Sequence, residues 1–389
     1  MNTLAPNKPL QYRWVVLLVT LLAFVAYAFS FQIVPPLIPS LLDEFSISNA
    51  EAGLLMSVVL VPGLVLGILV SFFINRLGAK RVILFSLILV VFGTLVSSAA
   101  SSYMILLLGR LILGFGGAII LPATPTLISQ WFEREELGRA MGIFAVNMPL
   151  ATVFALPAAS ALSAGIGWRY AFYLSSAIGI VATLAFALLF KERPMTYEKE
   201  GSIRKALSSV EMWKVAIIWL LFQAAMISFI TWAPALLERF QGMEKIQAGF
   251  TTSLLSWTSI LFVPIYGLLS DRFYIRKLFI VIGFALTALM FIVISINSSL
   301  NIIALFVALG TASSMIPSII QTMPPEVLGP DMASVGFGVM TILGNIGPIL
   351  APPLIGYILD YTNSYFYSVA ILALFSVFGL VIGVFLRSK

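Results

Sequence analysis

Two long apolar runs are joined by the stretch Gly267-Leu-Leu-Ser-Asp271-Arg272-Phe-Tyr-Ile-Arg276-Lys277. An earlier stretch, Ser71-Phe-Phe-Ile-Asn75-Arg76-Leu-Gly78-Ala-Lys80-Arg81, joins two other apolar runs in the same way. Aligning Asp271 on Asn75 gives an offset of 196 residues (271 − 75), about half of the 389-residue chain. A short basic connection that recurs at half-length predicts that the protein consists of two similar halves in tandem.

Hydrophobic residues make up 60% of the chain, charged residues make up 10%, and the mean hydropathy is +1.07. Soluble globular domains are about 45–50% apolar and about 25% charged, so this composition predicts an integral membrane protein. The net charge of +6 raises the question of nucleic-acid binding, but the Lys and Arg residues lie in short loops between apolar runs. That distribution is typical of membrane topology. We therefore expect the lipid bilayer as a partner and no nucleic acid.

The chain contains no Cys and no His. Disulfides, thiolate chemistry, imidazole bases and His metal ligands are therefore excluded. An intramembrane enzyme would need a catalytic group such as Ser with His, or paired Asp residues, inside the bilayer, and the sequence offers neither. No phosphate-binding loop precedes a soluble helix, so an ATP-driven pump is not indicated. We expect no enzymatic activity, no cofactor and no metal site.

Twelve runs are apolar enough and, at about 20 residues, long enough to cross a membrane as helices. The first six are roughly 14–41, 51–75, 82–101, 103–130, 138–163 and 168–190, and the second six are roughly 213–238, 247–270, 277–297, 301–321, 332–357 and 364–386. We predict a first bundle over 1–190, a linker over 191–212 and a second bundle over 213–389. The first run lacks a small-residue cleavage site after it, so we interpret it as a retained helix rather than a signal peptide.

The basic residues predict the orientation of the chain. If the N-terminus is cytoplasmic, 18 of the 22 Lys and Arg residues lie in cytoplasmic segments. Three lie outside (Arg169, Arg239 and Lys245), and Arg110 lies within the fourth run. This asymmetry follows the positive-inside rule. It predicts that both termini are cytoplasmic and that the protein is a multi-pass protein of the plasma or inner membrane.

All 16 acidic residues lie in loops or near the ends of the apolar runs. Carboxylates buried near the middle of a membrane usually carry ions or protons, and the sequence offers no such carrier. Glu51 and Glu238, near the external ends of their runs, are weak substitutes, and solvation at the interface is the simpler interpretation of both.

The one charged residue deep in a run is Arg110, in the stretch Leu108-Gly-Arg110-Leu-Ile-Leu-Gly114-Phe-Gly116-Gly117-Ala118. Because Arg keeps its proton, its charge must meet water, a counter-ion, backbone carbonyls or an anionic substrate. Two hypotheses follow: Arg110 binds the substrate, or it ties its helix to span one through backbone oxygens. The small residues that follow it predict close packing of a neighbouring helix.

These residues resemble the major facilitator superfamily of secondary transporters. The loop motif of that family runs Gly-x-x-x-Asp-Arg-x-Gly-x-Lys/Arg-Lys/Arg between spans two and three. The second-half copy matches it at Gly267, Asp271, Arg272, Arg276 and Lys277, with Tyr274 in place of the later Gly. The first-half copy matches it at Arg76, Gly78, Lys80 and Arg81, with Ser71 and Asn75 in place of Gly and Asp.

Two further motifs extend the resemblance to essentially the whole chain. The span-four motif of the family, Arg followed by Gly-x-Gly and a small residue, is matched by Arg110, Gly114, Gly116 and Gly117, and Trp168-Arg169-x-x-Phe172 at the sixth run is also similar to this family. The resemblance implies an all-α integral membrane fold with twelve transmembrane helices in two pseudo-symmetric six-helix bundles. Span eleven, rich in Gly and Pro from Gly344 to Gly356, is expected to bend.

The resemblance also implies that the loop motifs latch the two halves together on the cytoplasmic side in one state and release them in another. The predicted latch residues are Asn75, Arg76, Lys80, Arg81, Asp271, Arg272, Arg276 and Lys277. Asn75 has no charge, so the first-half latch is expected to be weaker or altered. The alternative is that these charges only set the topology.

In this fold the substrate cavity lies between the halves near mid-membrane and is lined mainly by spans one, four, five, seven, eight, ten and eleven. The candidate substrate-binding residues on those spans are Arg110, Tyr27, Gln32, Asn147, Gln223, Trp232, Trp257, Gln321 and Asn345. Hydrogen bonding between helices is an equally good explanation for each amide, and an interfacial aromatic belt is one for Trp232.

The predicted function is secondary active transport of a small organic solute by rocker-switch alternating access. A cation without a matching deep anion favours an organic anion as the substrate. The alternatives are a passive facilitator and a proton-coupled drug or solute exporter of the same fold, although the fifth run lacks the Gly-Pro-x-x-Gly-Gly of the drug–proton antiporters. A sensor that kept the fold is a further, less favoured alternative. We expect a small-molecule partner, protons as a candidate coupling ion, and a monomer.

Overall fold

The computed structural model describes residues 12–192, 206–273, 275–296, 301–329 and 332–386. Within these ranges the chain is helical, and twelve segments are long and apolar enough to cross a membrane. The predicted all-α membrane fold and its number of spans are confirmed. Most of the predicted linker, residues 193–205, lies outside the described residues.

Each span consists of one to three helices. In the first half, span 1 comprises Tyr12–Gln32, Pro35–Leu37 and Ile38–Phe45, span 2 comprises Asn49–Ser57 and Val61–Leu77, span 3 is Ala79–Ser98, span 4 is Tyr103–Trp131, span 5 comprises Arg134–Phe144 and Asn147–Gly165, and span 6 is Arg169–Leu189. In the second half, span 7 is Val210–Gln241, span 8 is Lys245–Phe273, span 9 is Arg276–Ile296, span 10 comprises Ile302–Ser313, Met315–Ile320 and Met323–Leu328, span 11 is Ala333–Thr362, and span 12 is Tyr365–Val384.

The two ends of the helix bundle differ in charge. We call the end at which span 2 connects to span 3, and span 8 to span 9, the basic face, because it carries Arg76, Arg81, Arg272 and Arg276. The opposite end, at which span 1 connects to span 2 and span 7 to span 8, is called the far face. Successive spans run in opposite directions between these faces.

The two halves pack their helices in the same pattern. In the first half, span 1 packs on spans 5 and 6, span 3 packs on spans 4 and 6, and span 2 packs on span 4. Adding six to each number gives the corresponding pairs of the second half: span 7 on spans 11 and 12, span 9 on spans 10 and 12, and span 8 on span 10. The duplication predicted from the loop motif is therefore present in the packing.

Glycines in span 4 allow three neighbouring helices to approach it closely. A Cβ added at Gly114 would lie 2.5 Å from the Val59 carbonyl oxygen of span 2, and one added at Gly116 would lie 2.7 Å from that of Ser86 in span 3. A Cβ added at Gly117 would collide with the ring of Tyr27 in span 1. The small residues after Arg110 thus act in helix packing, as the sequence predicted.

At the far face of the first half, Trp168 and Arg169 fix span 6 to its neighbours. The carboxylate of Glu44, at the end of span 1, accepts a hydrogen bond from the Trp168 indole N–H and forms an ion pair of 2.7 Å with Arg169. Arg169 also donates to the carbonyl of Ala100, 2.8 Å away. In this conformation Trp168 and Arg169 connect span 6 to the ends of spans 1 and 3.

Candidate functional site

Arg110 lies fully buried where spans 1, 2 and 4 meet. Its Nη1 donates to the Ser30 carbonyl oxygen at 2.7 Å, and its Nη2 donates to that of Phe31 at 3.2 Å, both in span 1. Its Nε donates to the Leu55 carbonyl oxygen of span 2 at 2.9 Å. One guanidinium thereby joins three helices, and its planar set of donors is what allows bonds to two neighbours at once.

The carbonyls that Arg110 contacts lie at helix ends created by the sequence. The first helix of span 1 ends at Gln32, and Pro35 has no N–H with which to bond Phe31, four residues earlier. Leu55 lies in the last turn of the helix Asn49–Ser57, where span 2 is interrupted. A cation is favourable near the C-terminus of a helix because the free carbonyls and the helix dipole are negative there. In this conformation Arg110 has the contacts of a helix joint, and substrate binding by Arg110 stays a prediction.

Tyr27 and Gln32 lie near this joint on span 1. Tyr27 is 1% exposed, and its ring stacks on that of Phe31 with the centroids 6.4 Å apart. Gln32 is also 1% exposed; its Nε2 donates to the Thr152 hydroxyl of span 5 at 2.8 Å, while its Oε1 is buried without a hydrogen-bond partner. The free Oε1 is an acceptor that a rearranged conformation or a ligand could satisfy.

Asn147 and Trp232 are engaged within their own halves. The Asn147 Nδ2 donates to the carbonyl of Phe144 at 2.7 Å, across the interruption of span 5. Trp232 is buried rather than interfacial, and its indole N–H donates to the Pro352 carbonyl at 2.9 Å, which joins span 7 to span 11. The first contact is local to span 5, and the second packs span 7 on span 11.

The remaining candidates are more open. Gln223 and Asn345 are half-buried, and Gln321 and Trp257 are exposed. Asn345 lies at the seam between the halves, because a Cβ added at Gly63 of span 2 would lie 3.6 Å from its Nδ2. The structure therefore places Arg110, Tyr27 and Gln32 together in the first half and Asn345 at the seam, and it does not gather all nine candidates into one cluster.

The halves approach each other closely at two helix crossings near the far face, and neither one was predicted from the sequence. Span 2 crosses span 11 where a Cβ at Gly53 would lie 2.6 Å from the Pro352 carbonyl oxygen. Span 8 crosses span 5 where a Cβ at Gly249 would lie 3.0 Å from the Leu156 carbonyl oxygen. Gly53 and Gly249 are 196 residues apart, as are Leu156 and Pro352, so the offset of the loop motif could have identified these positions as equivalent.

Polar contacts also join the halves at these crossings. The Asp360 carboxylate of span 11 accepts hydrogen bonds from the backbone N–H groups of Asn49 and Ala50 at 2.8 and 2.9 Å. The Lys245 ammonium of span 8 donates to the hydroxyls of Ser40 and Ser163 at 2.9 and 3.3 Å.

A further cross-half contact lies deeper in the membrane. The hydroxyl of Ser57 is 3.3 Å from the Pro348 carbonyl oxygen, to which it donates. That oxygen is free because Pro352, four residues later, has no N–H. The hydrogen bonds described above between the halves all lie toward the far face. The described contacts thus close the seam at the far face.

The second-half loop motif forms an ion-pair network inside its own half. Arg276 lies 2.9 Å from Asp271 at the end of span 8 and also forms an ion pair with Glu326 at the end of span 10. Arg272 lies over the ring of Phe273, and Lys277 borders an apolar groove near the end of span 12. The predicted latching between halves is not tested by these contacts and stays a prediction.

The first-half loop motif is described less completely. Arg76 and Arg81 are exposed and Lys80 is half-buried. The side chain of Asn75 and the whole of Tyr274 lie outside the described part of the structure. Gly78 has a φ of 86°, a backbone conformation that favours glycine. A Cβ there would also meet the carboxylate of Glu192, which can move aside.

The chain matches a known family along nearly its whole length. The family model of the Major Facilitator Superfamily matches residues 20–251 and 240–389. The probable nitrate transporter NarT of Staphylococcus epidermidis is 23% identical over 95% of each chain. The probable sulfoacetate transporter SauU of Cupriavidus necator is 23% identical over 89% of this chain and 86% of its own. The probable galactarate/D-glucarate transporter GudP of Escherichia coli is 25% identical over 75% of each chain.

Two solved structures have the same fold. Both are of a bacterial homolog of the human lysosomal transporter Spinster. The inward-facing, occupied form superposes with a TM-score of 0.85 at 18% identity, covering 98% of this chain and 97% of the other. The inward-facing, unoccupied form superposes with a TM-score of 0.80 at 19% identity, covering 97% and 98%. At these identities the likeness establishes the fold only.

Proposed function

Because the chain belongs to the Major Facilitator Superfamily of membrane transporters, we propose that it is a secondary transporter that carries a small anion by alternating access. The halves form two equivalent bundles with a seam between them, which is the arrangement that alternating access requires. Apart from Arg110, the candidate residues are amides and aromatic side chains, none of which carries a charge. The substrate class therefore depends on the charge that surrounds them.

The orientation follows from the basic residues. Their concentration on the basic face supports a cytoplasmic position for that face and for both chain ends, in the cell or inner membrane. With this orientation the far face is external. The described contacts between halves then close the external side, as expected of an inward-facing conformation.

The observation that carries the proposal is the charge of Arg110. It is fully buried, and its contacts are neutral backbone carbonyls rather than a carboxylate. At about 10 Å and an effective dielectric constant of about 20, a unit positive charge stabilises an anion by about 1.7 kcal/mol. The opposing dipoles of the carbonyls reduce this figure, but its sign favours anions without any direct contact.

The relatives support the same substrate class. Nitrate, sulfoacetate, galactarate and D-glucarate, the solutes in the names of three relatives, are all anions. They differ in size and in the number of carboxylate, sulfonate and hydroxyl groups. The shared property is negative charge, which is also what a buried arginine without a carboxylate partner selects.

The test is uptake into proteoliposomes that contain the purified protein. Nitrate, sulfoacetate and D-glucarate are offered separately beside a neutral hexose and a lipophilic cation, with protein-free liposomes as the control. We expect at least one anion to enter in a saturable manner and to be blocked by unlabelled excess. Saturable uptake of the cation or the hexose, without uptake of any anion, would refute the proposal.

The coupling mode has two candidates. The described spans carry no carboxylate near their middle, which favours either a passive facilitator or a symporter in which the proton travels on the anion itself. Uptake is measured with and without an inward pH gradient at fixed membrane potential. A passive facilitator equilibrates its substrate in both conditions, whereas a proton symporter accumulates it only with the gradient.

A further inference from the structure

The two crossings at the far face are copies of each other with different polar contacts. Gly53 packs on the backbone of span 11, and its equivalent, Gly249, packs on that of span 5. Four residues before each glycine stand Asn49 and Lys245, which are also 196 residues apart. The backbone geometry is shared, so the polar side chains are what distinguish the crossings.

Asp360 completes the N-terminal cap of a helix in the other half. The helix Asn49–Ser57 begins with a capping box, in which the Ser48 hydroxyl accepts from the Glu51 N–H and the Glu51 carboxylate accepts from the Ser48 N–H. The N–H groups of Asn49 and Ala50 have no acceptor within the helix, and Asp360 accepts both. Its Oδ1 also accepts from the Asn49 side-chain amide at 2.6 Å.

Lys245 makes the corresponding contact at the other crossing. Its ammonium reaches Ser40 at the end of span 1 and Ser163 at the end of span 5, and those two hydroxyls lie 3.2 Å from each other. At both crossings the charge belongs to the second half, and its partners in the first half are neutral. Hydrogen bonds to a charged group are stronger than neutral ones, but no ion pair links the halves within the described residues.

We propose that Asp360 and Lys245 are the latch residues of the external gate and set the fraction of the protein in the inward-facing state. The proposal rests on the alternating access proposed above. Their neutral partners hold the gate closed yet release it without separating two opposite charges. An ion pair at either crossing would stabilise the closed gate further and slow its opening.

The test measures whether the seam opens, in protein without substrate. The chain has no Cys, so Ser57→Cys introduces a single thiol at a residue that is 2% exposed and contacts Pro348 across the seam. Its rate of reaction with a membrane-impermeant maleimide from the external side reports the open fraction. A hydrogen bond to a charged group changes an equilibrium by about tenfold or more. Because the Asp360 contacts are solvent-exposed and Asn keeps one acceptor oxygen, we expect Asp360→Asn to raise the labelling rate several-fold, up to about tenfold.

A second variant shifts the gate in the opposite direction. Ser163→Asp places a carboxylate beside Lys245 and creates an ion pair across the seam. We expect slower labelling, a higher melting temperature and a lower transport rate. The matched control is Arg239→Gln, which removes a 2.6 Å contact to Asn363 on the same face but within the second half, and it is expected to leave labelling unchanged.

The outcomes separate this proposal from the proposed function. Unchanged labelling in both Asp360→Asn and Ser163→Asp, in folded protein, overturns the latch even if anion uptake is found. An equal change of the labelling rate in Arg239→Gln also overturns the latch. The rate would then respond to the loss of any polar contact at the far face, and not specifically to contacts between the halves. Opposite shifts in the two variants support the latch whether or not anions are carried, because labelling needs no substrate.

Discussion

The position of Arg110 in the first half is occupied by Phe306 in the second, 196 residues later. Both side chains are buried, with 0% and 1% of their surface exposed. Arg110 forms hydrogen bonds to carbonyls of two other helices. Phe306 instead packs on Phe229 of span 7, with ring centroids 5.1 Å apart, and Phe229 packs on Phe291 of span 9 at the same distance. One joint is polar and charged, and its copy is aromatic.

The backbone next to these two positions has not diverged in the same way. Gly114 and Gly310, one turn after Arg110 and Phe306, pack on Val59 and Leu255, which are also 196 residues apart. The duplicated fold therefore retains the close helix approach, and the side chains that fill the joint differ. Because only one joint is charged, the positive potential of the membrane interior is unequal between the halves.

The comparison between Arg110 and Phe306 is tested by replacing each residue with methionine in a separate variant, and Arg110→Met is expected to have the larger effect. In Arg110→Met the carbonyls of Ser30, Phe31 and Leu55 lose their donor, and each unsatisfied buried acceptor is unfavourable by about 1–3 kcal/mol. Removal of a buried charge offsets part of this, so we expect a net loss of about 3 kcal/mol of stability and no transport. Denaturant unfolding in detergent and proteoliposome uptake measure the two effects.

Arg110→Lys separates the helix-joint hypothesis from the substrate hypothesis. A single ammonium does not reproduce the planar donors that reach spans 1 and 2 together. A helix joint predicts that the lysine variant loses stability nearly as much as the methionine variant. If the lysine variant is as stable as the parent and only its affinity for anions falls, Arg110 binds the substrate.

Alanine substitutions of Gly114 and Gly310 should also differ in their effect on stability between the two halves, but by less than the substitutions of Arg110 and Phe306. A Cβ at Gly114 meets the Val59 backbone at 2.5 Å, and neither helix can move aside without losing packing. At Gly310 the nearest obstacle is the Thr258 hydroxyl, which can rotate, although the Leu255 Cα lies 2.9 Å away. We expect Gly114→Ala to lower stability by about 1–3 kcal/mol and Gly310→Ala to lower it less.

The control for the glycine pair is Gly138→Ala, in the helix Arg134–Phe144, where nothing lies within 4 Å of the added Cβ. Alanine there should raise stability, because glycine is less favourable in a helix by about 1 kcal/mol. Equal losses of stability in Gly114→Ala and Gly310→Ala would show that the contact of span 4 with span 2 and that of span 10 with span 8 are equally rigid.

Phe306→Met should have the smallest effect. Methionine nearly conserves the volume and remains apolar, and such substitutions usually lower stability by less than about 1.5 kcal/mol. We expect this variant to unfold slightly earlier in denaturant and to transport at close to the parent rate. Loss of transport in folded Phe306→Met protein would mean that the aromatic joint has a role beyond packing.

Much of the fold could be predicted from the sequence because hydropathy and the repeated loop motif are local signals. The spans were found with ends displaced by a few residues; span 10, predicted over 301–321, continues to Leu328. The interruption of span 1 by Pro35 and Pro36 was not anticipated, because the apolar run is continuous there. The domain boundary at the linker stays a prediction, since residues 193–205 are not described.

The candidate site was less accessible to sequence reasoning. The two hypotheses for Arg110 included the observed carbonyl contacts, because a charge in a membrane has few possible partners. The contacts of Asp360 and Lys245 were not found, because hydropathy does not tell which helices of the two halves meet. The offset of 196 identifies Gly53 and Gly249 as equivalent, but the helix that each one meets is given only by the structure.

The hydrogen bond from Ser57 to Pro348 has a consequence for hydration. Pro352 leaves that carbonyl without a partner inside span 11, so the oxygen is satisfied across the seam only while the far face is closed. When the seam separates, water must reach this oxygen and the amide groups now capped by Asp360. Under the proposed alternating access, excluded osmolytes that withdraw water from these groups should favour the state in which the far face is closed.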